Sequence, residues 1–232
     1  NNLFNALFDN AKEYIRTIEL LDRHKSGLTR NEIAVKLNST SGGGLTKMID
    51  NLEQCGFIAG ISNGGRVNDK IYKIIDFYCL FYLKFVKNND FLEDEYWSKI
   101  TNTPLHNSWC GFSFERVCFS HLKQIKKALG ISGILTKTYA WRSRVSSPGA
   151  QIDMLIDRED RVVDVCEMKY SSVEYAITKS ENMKLRNRIE AFRLESRTRK
   201  AIHLVMISPY GVLKNMYSGA VTNQVTLDAL FE

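Results

Sequence analysis

The stretch GAQIDMLIDREDRVVDVCEMKY, residues 149–170, decides the fold of the C-terminal part of this chain. Two aliphatic runs flank a charged group around Arg158–Arg161, the pattern of a β-hairpin. Side chains alternate along a strand, so Val163, Val165, Glu167 and Lys169 share one face while Cys166 and Met168 share the other. On the first strand Asp153 shares its face with Leu155. The length of the loop sets the pairing. If Arg158 pairs with Val162 around three residues, Asp153 stands opposite Glu167; a two-residue turn sets it opposite Cys166 and separates the two carboxylates.

Two acids side by side on a half-buried face repel and are costly to desolvate. Such a pair calls either for a cation between the acids or for a salt bridge from Lys169 to Glu167 or Asp153. Mg²⁺ or Mn²⁺ suits a donor set of Asp153, Glu167, the backbone carbonyl of Met168 and water. Lys169 beside it would orient or deprotonate an attacking water.

Outward from the hairpin, a helix over 109–129 carries the stripe Gly111, Glu115, Cys118, Leu122, Ile125 and Leu129, which sets Glu115 on its core-facing side. That acid is either a further site carboxylate or a charge satisfied near the helix start. A first strand follows over 134–141, and after the hairpin come a basic helix near 179–197 and a strand over 201–208. The element order is α-β-β-β-α-β. Residues 179–200 hold eight basic and three acidic side chains, most of the net +6 of the whole chain. This run reads either as a solvated helix face or as a surface for phosphates, with Lys184, Arg186 and Arg188, joined by Arg142 and Arg144, as the receiving cations. Tyr139, Trp141 and Tyr170 are placed to stack on unpaired bases, although core packing is the commoner use of such rings.

Up to residue 90 the pattern is of short amphipathic helices. A helix over 11–24 ends at Gly27; Thr29 caps a second helix with Glu32 completing a capping box; a turn spans 39–44; and Leu45, Met48, Ile49 and Leu52 mark a third helix ended at Gly56. Two runs, 57–61 and 71–75, around a glycine-rich tip read as strands of a wing. The expectation is a winged helix-turn-helix over 1–90, with Lys47 on the third helix and Arg66 and Lys70 on the wing meeting DNA, or with the domain serving protein contacts instead. The stretch 91–107 reads as a linker and 108–232 as the second domain.

The 232 residues, 44% hydrophobic and 25% charged, exclude a disordered or fibrous chain. No apolar run approaches the ~18 residues of a membrane span, and the first residues carry no secretory leader pattern, so a cytoplasmic protein is expected. Cys55, Cys79, Cys110, Cys118 and Cys166 form no C-x-x-C pair and read as reduced core thiols. His24, His106, His121 and His203 show no metal-ligand spacing. SGGGLTK, 41–47, is no phosphate-binding loop, because Leu45 and Thr46 separate the last glycine from Lys47 and no strand precedes it; no nucleotide site is expected in this chain. The chain opens Asn1-Asn2 without methionine, as a piece of a longer protein would.

The element order, with Asp153, then Glu167-Met168-Lys169, and a helix glutamate at Glu115, resembles the PD-(D/E)xK nuclease superfamily; Ile152 stands where its motif proline would be. Over nearly the whole length, LTRNEIAVKL, DKIYKIIDFYCLFYLKF, GFSFERVCFSHLKQIKKALGI, the 150–170 hairpin and VTLDALF resemble the C-terminal half of prokaryotic AAA-type ATPases, in which a P-loop domain precedes a winged helix and a domain of the nuclease superfamily. The resemblance implies a restriction-endonuclease-like fold of α+β or α/β class, a Mg²⁺- or Mn²⁺-dependent deoxyribonuclease site, DNA and an ATPase domain of the same polypeptide as partners, and possible oligomers. It equally allows a catalytically inactive docking module.

Overall fold

The structure, a computed structural model, describes residues 2–39, 42–64, 66–87, 95–143, 145 and 149–232, with the side chains of Asn2 and 66–68 outside the description. The architecture is mixed α and β. It divides into two units, Asn1–Ser62 with Arg66–Thr101, and Asn102–Glu232 with Asn63–Gly65. The boundary at Thr101 falls inside the stretch read as linker, which also contains a short helix and the first turn of the next.

The first unit opens with α1 (Asn2–Leu7) and α2 (Ala11–Arg23), then β1 (Leu28–Thr29), α3 (Arg30–Leu37), α4 (Gly43–Gln54), β2 (Ile58–Asn63), β3 (Arg66–Ile74), α5 (Phe77–Phe81) and α6 (Tyr96–Ile100). Thr29 caps α3 as its sequence requires: its hydroxyl accepts from the Glu32 amide while Glu32 Oε2 accepts from the Thr29 amide at 2.7 Å. Helix α4 begins at Gly43, two residues ahead of Leu45, because Gly42 takes the capping position and both glycines enter the first turn. The apolar stripes of α2, α3 and α4 meet in one core of Ile18, Leu21, Ile33, Leu45, Ile49 and Leu52, closed from the strands by Phe57 and Ile58. The two-residue strand β1, unforeseen in the sequence, pairs antiparallel with β3 through Leu28–Tyr72 and Thr29–Ile71. Gly27, at φ +83°, makes this return possible, since a Cβ there would stand 2.5 Å from Ile71 Cγ2 and 2.8 Å from the Tyr72 carbonyl.

The second unit runs α7 (Pro104–Ser120), α8 (Leu122–Ala128), β4 (Thr136–Arg142), β5 (Gln151–Arg158), β6 (Val162–Met168), α9 (Lys179–Ser196), β7 (Ala201–Ile207) and β8 (Asn223–Val225). The single helix expected over 109–129 is therefore two. It starts earlier, capped by Thr103 with Pro104 in its first turn, and breaks at His121, whose amide closes α7 onto Val117 and Cys118. The strands follow one another in the order β4-β5-β6-β7-β8, antiparallel at β4/β5 and β5/β6 and parallel from β6 onward. Phe114, Cys118 and Ile125 of α7 and α8 pack with Met154, Ile156, Cys166 and Met168 on one face of this sheet. Leu185 and Phe192 of α9 pack with Leu155, Val163, Val165 and Trp141 on the other. The alternation expected for β6 is the one found.

Three cysteines are buried, but Cys55 is exposed at the end of α4 and Cys110 half-buried, so the core reading fails for those two; all five are free thiols. Trp141 is core, edge-on to Phe192 at 5.4 Å, whereas Tyr170 is partly exposed. No helix among the described residues is long and apolar enough to cross a membrane. On the α7 side of β6, Asp164 is wholly buried, with Arg158 Nη1 at 3.4 Å and His203 Nδ1 at 3.7 Å. Burial pushes its carboxyl above the usual aspartate range of 3.8, and the Arg158 charge and hydrogen bond counter this only in part.

Replacing Gly27 with Ala should lower stability by about 2–4 kcal/mol through left-handed strain and overpacking, read by urea unfolding. Asp164 holds its proton more tightly folded than unfolded, so its contribution to stability falls as pH rises from the ordinary aspartate value through the raised one. Asp164→Asn should match the wild type in acid and exceed it at neutral pH, read by thermal melts across about pH 3–8.

Candidate active site

The hairpin loop is the odd one. Met154 pairs with Cys166, Leu155 with Val165, Ile156 with Asp164 and Asp157 with Val163, so the count continues to Arg158 opposite Val162 around Glu159, Asp160 and Arg161. Arg161 takes φ +68°, the left-handed position that closes such a loop. Carried the other way by one pair, the same register sets Asp153 across from Glu167. The β5/β6 ladder stops just before that pair. A bulge against β4 lies at the same point, between the pairs Tyr139–Leu155 and Trp141–Ile152. Ile152 and Leu155 consequently pack in one core cluster although three residues apart, so the simple alternation that groups Asp153 with Leu155 does not hold.

Where β5 and β6 part, a cavity of about 250 Å³ opens, lined by Glu115, Gln151, Asp153, Cys166, Glu167, Met168, Lys169 and Arg188. Glu115 comes from α7 on one face of the sheet and Arg188 from α9 on the other, which sets the cavity at the end of the sheet. All four residues expected to carry chemistry, Asp153, Glu167, Lys169 and Glu115, line it, as does Met168. Each acid has a partner. Gln151 donates to Asp153 Oδ1 at 2.9 Å, and Arg116 Nη1 lies 3.4 Å from Glu115 Oε2. Glu167, 12% exposed, faces Lys169 Nζ at 2.8 Å and accepts from Arg188 Nη1 at 2.8 and 3.0 Å. The salt bridge weighed as the alternative for Lys169 is therefore present.

Of the other expected cations among the described residues, only Lys184 lies near the cavity, in the adjoining pocket. Lys47 is exposed on α4, Lys70 stands 3.6 Å from Glu53, and Arg142 ends β4 half-buried, while Lys184 and Arg186 are exposed on α9. Arg144 and the Arg66 side chain lie outside the described residues. Two contributors, Gln151 and Arg116, escaped the sequence reading, and Arg188, expected only as a phosphate contact, takes a different partner. Gln151 shares its strand with Asp153 two residues on, and Arg116, buried at 4% exposure, gives its guanidinium to the Phe112 carbonyl at 3.0 Å and to Glu115. Arg188 turns inward onto Glu167. The adjacent Glu-Arg within the apolar run GFSFERVCF signals the Glu115–Arg116 pair.

Beside the cavity, Tyr175 donates its hydroxyl to Glu181, which also closes the capping box of α9 by accepting from the Thr178 amide at 3.0 Å. Burial tends to raise the Glu181 carboxyl, but Tyr175, Thr178 and the Lys169 charge together hold it below its usual value. Tyr170 is raised, mainly by burial and then by Cys110. Among the described residues no group of three or more His, Cys, Asp or Glu is gathered closely enough to hold a metal ion. The residue types nevertheless suit a hard divalent ion: acids from two strands and a helix line one polar cavity, and two cations stand on Glu167 where an ion's charge would otherwise compensate it.

No family model matches the chain, and no curated protein matches it. Among solved structures, a crystal structure of a protein of unknown function, AF1548, is similar at 14% identity and a TM-score of 0.35, over 49% of this chain and 64% of that one. This chain thus spans less than two thirds of that protein, and a likeness of that order carries neither fold nor function across.

Proposed function

We propose that the second unit is a divalent-metal-dependent nuclease domain of PD-(D/E)xK type and the first a winged helix-turn-helix. The observation that carries the reading is that Asp153, Glu167, Lys169 and Glu115 line one cavity at the sheet end, where the β5/β6 ladder stops. The reaction is phosphodiester hydrolysis, with DNA as substrate and an ATPase domain of the same polypeptide as neighbour.

Asp153 and Glu167, with the Met168 carbonyl, would hold Mg²⁺ or Mn²⁺, and Glu115 would complete the set or orient it through Arg116. When bound, the ion supplies Lewis-acid charge stabilisation and a more acidic water. The chain's own part is positional. Lys169, 2.8 Å from Glu167, is held at the cavity with its side chain 35% exposed, where it can take up charge developing on a non-bridging oxygen or orient the water. Gln151 fixes the Asp153 carboxylate by its hydrogen bond. Lys184 and Arg186 on α9, and Lys47 on α4, serve as phosphate contacts that position rather than specify. A second reading, a docking or DNA-recognition module without catalysis, is favoured by the ion pairs that already satisfy Glu167.

Mn²⁺ titrated by calorimetry into the wild type should bind with one-to-one stoichiometry, and Glu167→Gln should abolish that binding along with the nicking of supercoiled DNA. A loss of roughly 10²-fold or more in nicking rate is expected if Glu167 holds the ion. Absence of Mn²⁺ binding in the wild type both with and without a hydrolysis-resistant oligonucleotide would leave only the non-enzymatic reading.

A further inference from the structure

A smaller pocket of about 120 Å³ adjoins the carboxylate cavity, sharing Glu167, Lys169 and Arg188 with it and adding Tyr175, Glu181 and Lys184. Its charges are unevenly matched. Glu181 is committed to the α9 cap and to Tyr175, and Glu167 to two cations at once. Lys184 has no carboxylate within ion-pair distance among the described residues, and it lies one helical turn before Arg188 on α9. Three cations thus face one small space.

Arg188 is the exchangeable member. Both of its hydrogen bonds run from Nη1 to the two Glu167 oxygens, leaving Nε and Nη2 without a protein partner among the described residues. That is a poor use of a guanidinium, whose planar fork matches a carboxylate or phosphate through two nitrogens. Its side chain is 34% exposed, so its pair with Glu167 is only partly shielded from water and is easily traded for a better anion.

We infer that this pocket is a phosphate subsite, and that a phosphodiester entering it draws Arg188 off Glu167 and so frees that carboxylate for the divalent ion. Lys184 supplies the second charge of the subsite. The inference rests on the nuclease reading and adds to it a coupling. Phosphodiester and metal bind cooperatively, each tightening the other by the same factor, because both compete against one internal ion pair. Without nucleic acid, Arg188 keeps Glu167 occupied and the metal site weak.

The test is Mn²⁺ calorimetry on the full 232-residue chain, alone and with a saturating thymidine octamer linked by hydrolysis-resistant phosphorothioates, corrected for Mn²⁺ bound by the octamer itself. The wild type should bind Mn²⁺ at least about fivefold tighter with the octamer present. Arg188→Gln should bind Mn²⁺ more tightly than the wild type when alone, and the octamer should no longer change its affinity. Equal wild-type affinities with and without octamer, or an Arg188→Gln variant that binds Mn²⁺ no better than the wild type, would overturn the inference. If Mn²⁺ binding depends on Glu167 yet shows no coupling, the subsite exchange falls while the nuclease reading stands; if Mn²⁺ binds under neither condition, both fall. Should Arg188→Gln fail to fold, the reciprocal measurement needs no variant: octamer affinity of the wild type, by fluorescence anisotropy, must rise by the same factor as Mn²⁺ is added.

Discussion

The loop Glu159–Arg161 sets the register on which everything at the sheet end depends. One residue more or fewer in that loop would slide Glu167 out of line with Asp153, while the bulge in β5, and not simple alternation, decides where Asp153 faces. Arg161 in the left-handed region closes the loop at three residues, and the ladder from Asp157–Val163 to Met154–Cys166 locks the count. The ladder ends one pair before the acids meet. That ending is what makes a cavity, since two carboxylates held in a continuous sheet would have no room for water or an ion between them. The bulge against β4 at Asp153 helps end it, bending β5 away at the residue whose carboxylate faces the opening.

Charge compensation explains the second layer of the site. Three acids, Glu115, Asp153 and Glu167, line one cavity, and each is met by a neighbour of complementary character: Arg116, Gln151, and the pair Lys169 with Arg188. Arg116 reaches Glu115 from the buried side of α7, an expensive place for a guanidinium that is offset by the Phe112 carbonyl. Arg188 reaches Glu167 from outside, on α9. The two arginines therefore differ in kind, one built into the core and the other able to leave, and the difference comes from burial alone.

Much of this was legible in the residues. Asp153, Glu167-Met168-Lys169 and Glu115 were recognisable because an acid amid an aliphatic strand or helix stripe is costly and needs a reason, and the three-residue loop was one of two explicit alternatives. The capping box at Thr29 was read because its partner is local, four residues at a time; the same signature at Thr178, equally local, was passed over. What escaped depends on distant contacts. The break at His121 interrupts no apolar stripe, so periodicity passed over it. The bulge at Asp153 has no glycine to announce it. Arg188 looked like one more cation of a basic helix, and only the packing of Leu185 and Phe192 against the sheet turns it toward Glu167. Cys55, read with the others as a core thiol, falls just past α4 and is exposed beside Gly56 at φ +73°.

The measurement that bears most directly on the shared role of the two strand carboxylates is anomalous diffraction at the manganese edge from crystals soaked in Mn²⁺ and the non-hydrolysable octamer. A single peak within about 2.2 Å of carboxylate oxygens from both Asp153 and Glu167, with Arg188 turned from Glu167 onto a phosphate, is the predicted result. A cavity without manganese, its Glu167 still held by Lys169 and Arg188, would contradict it.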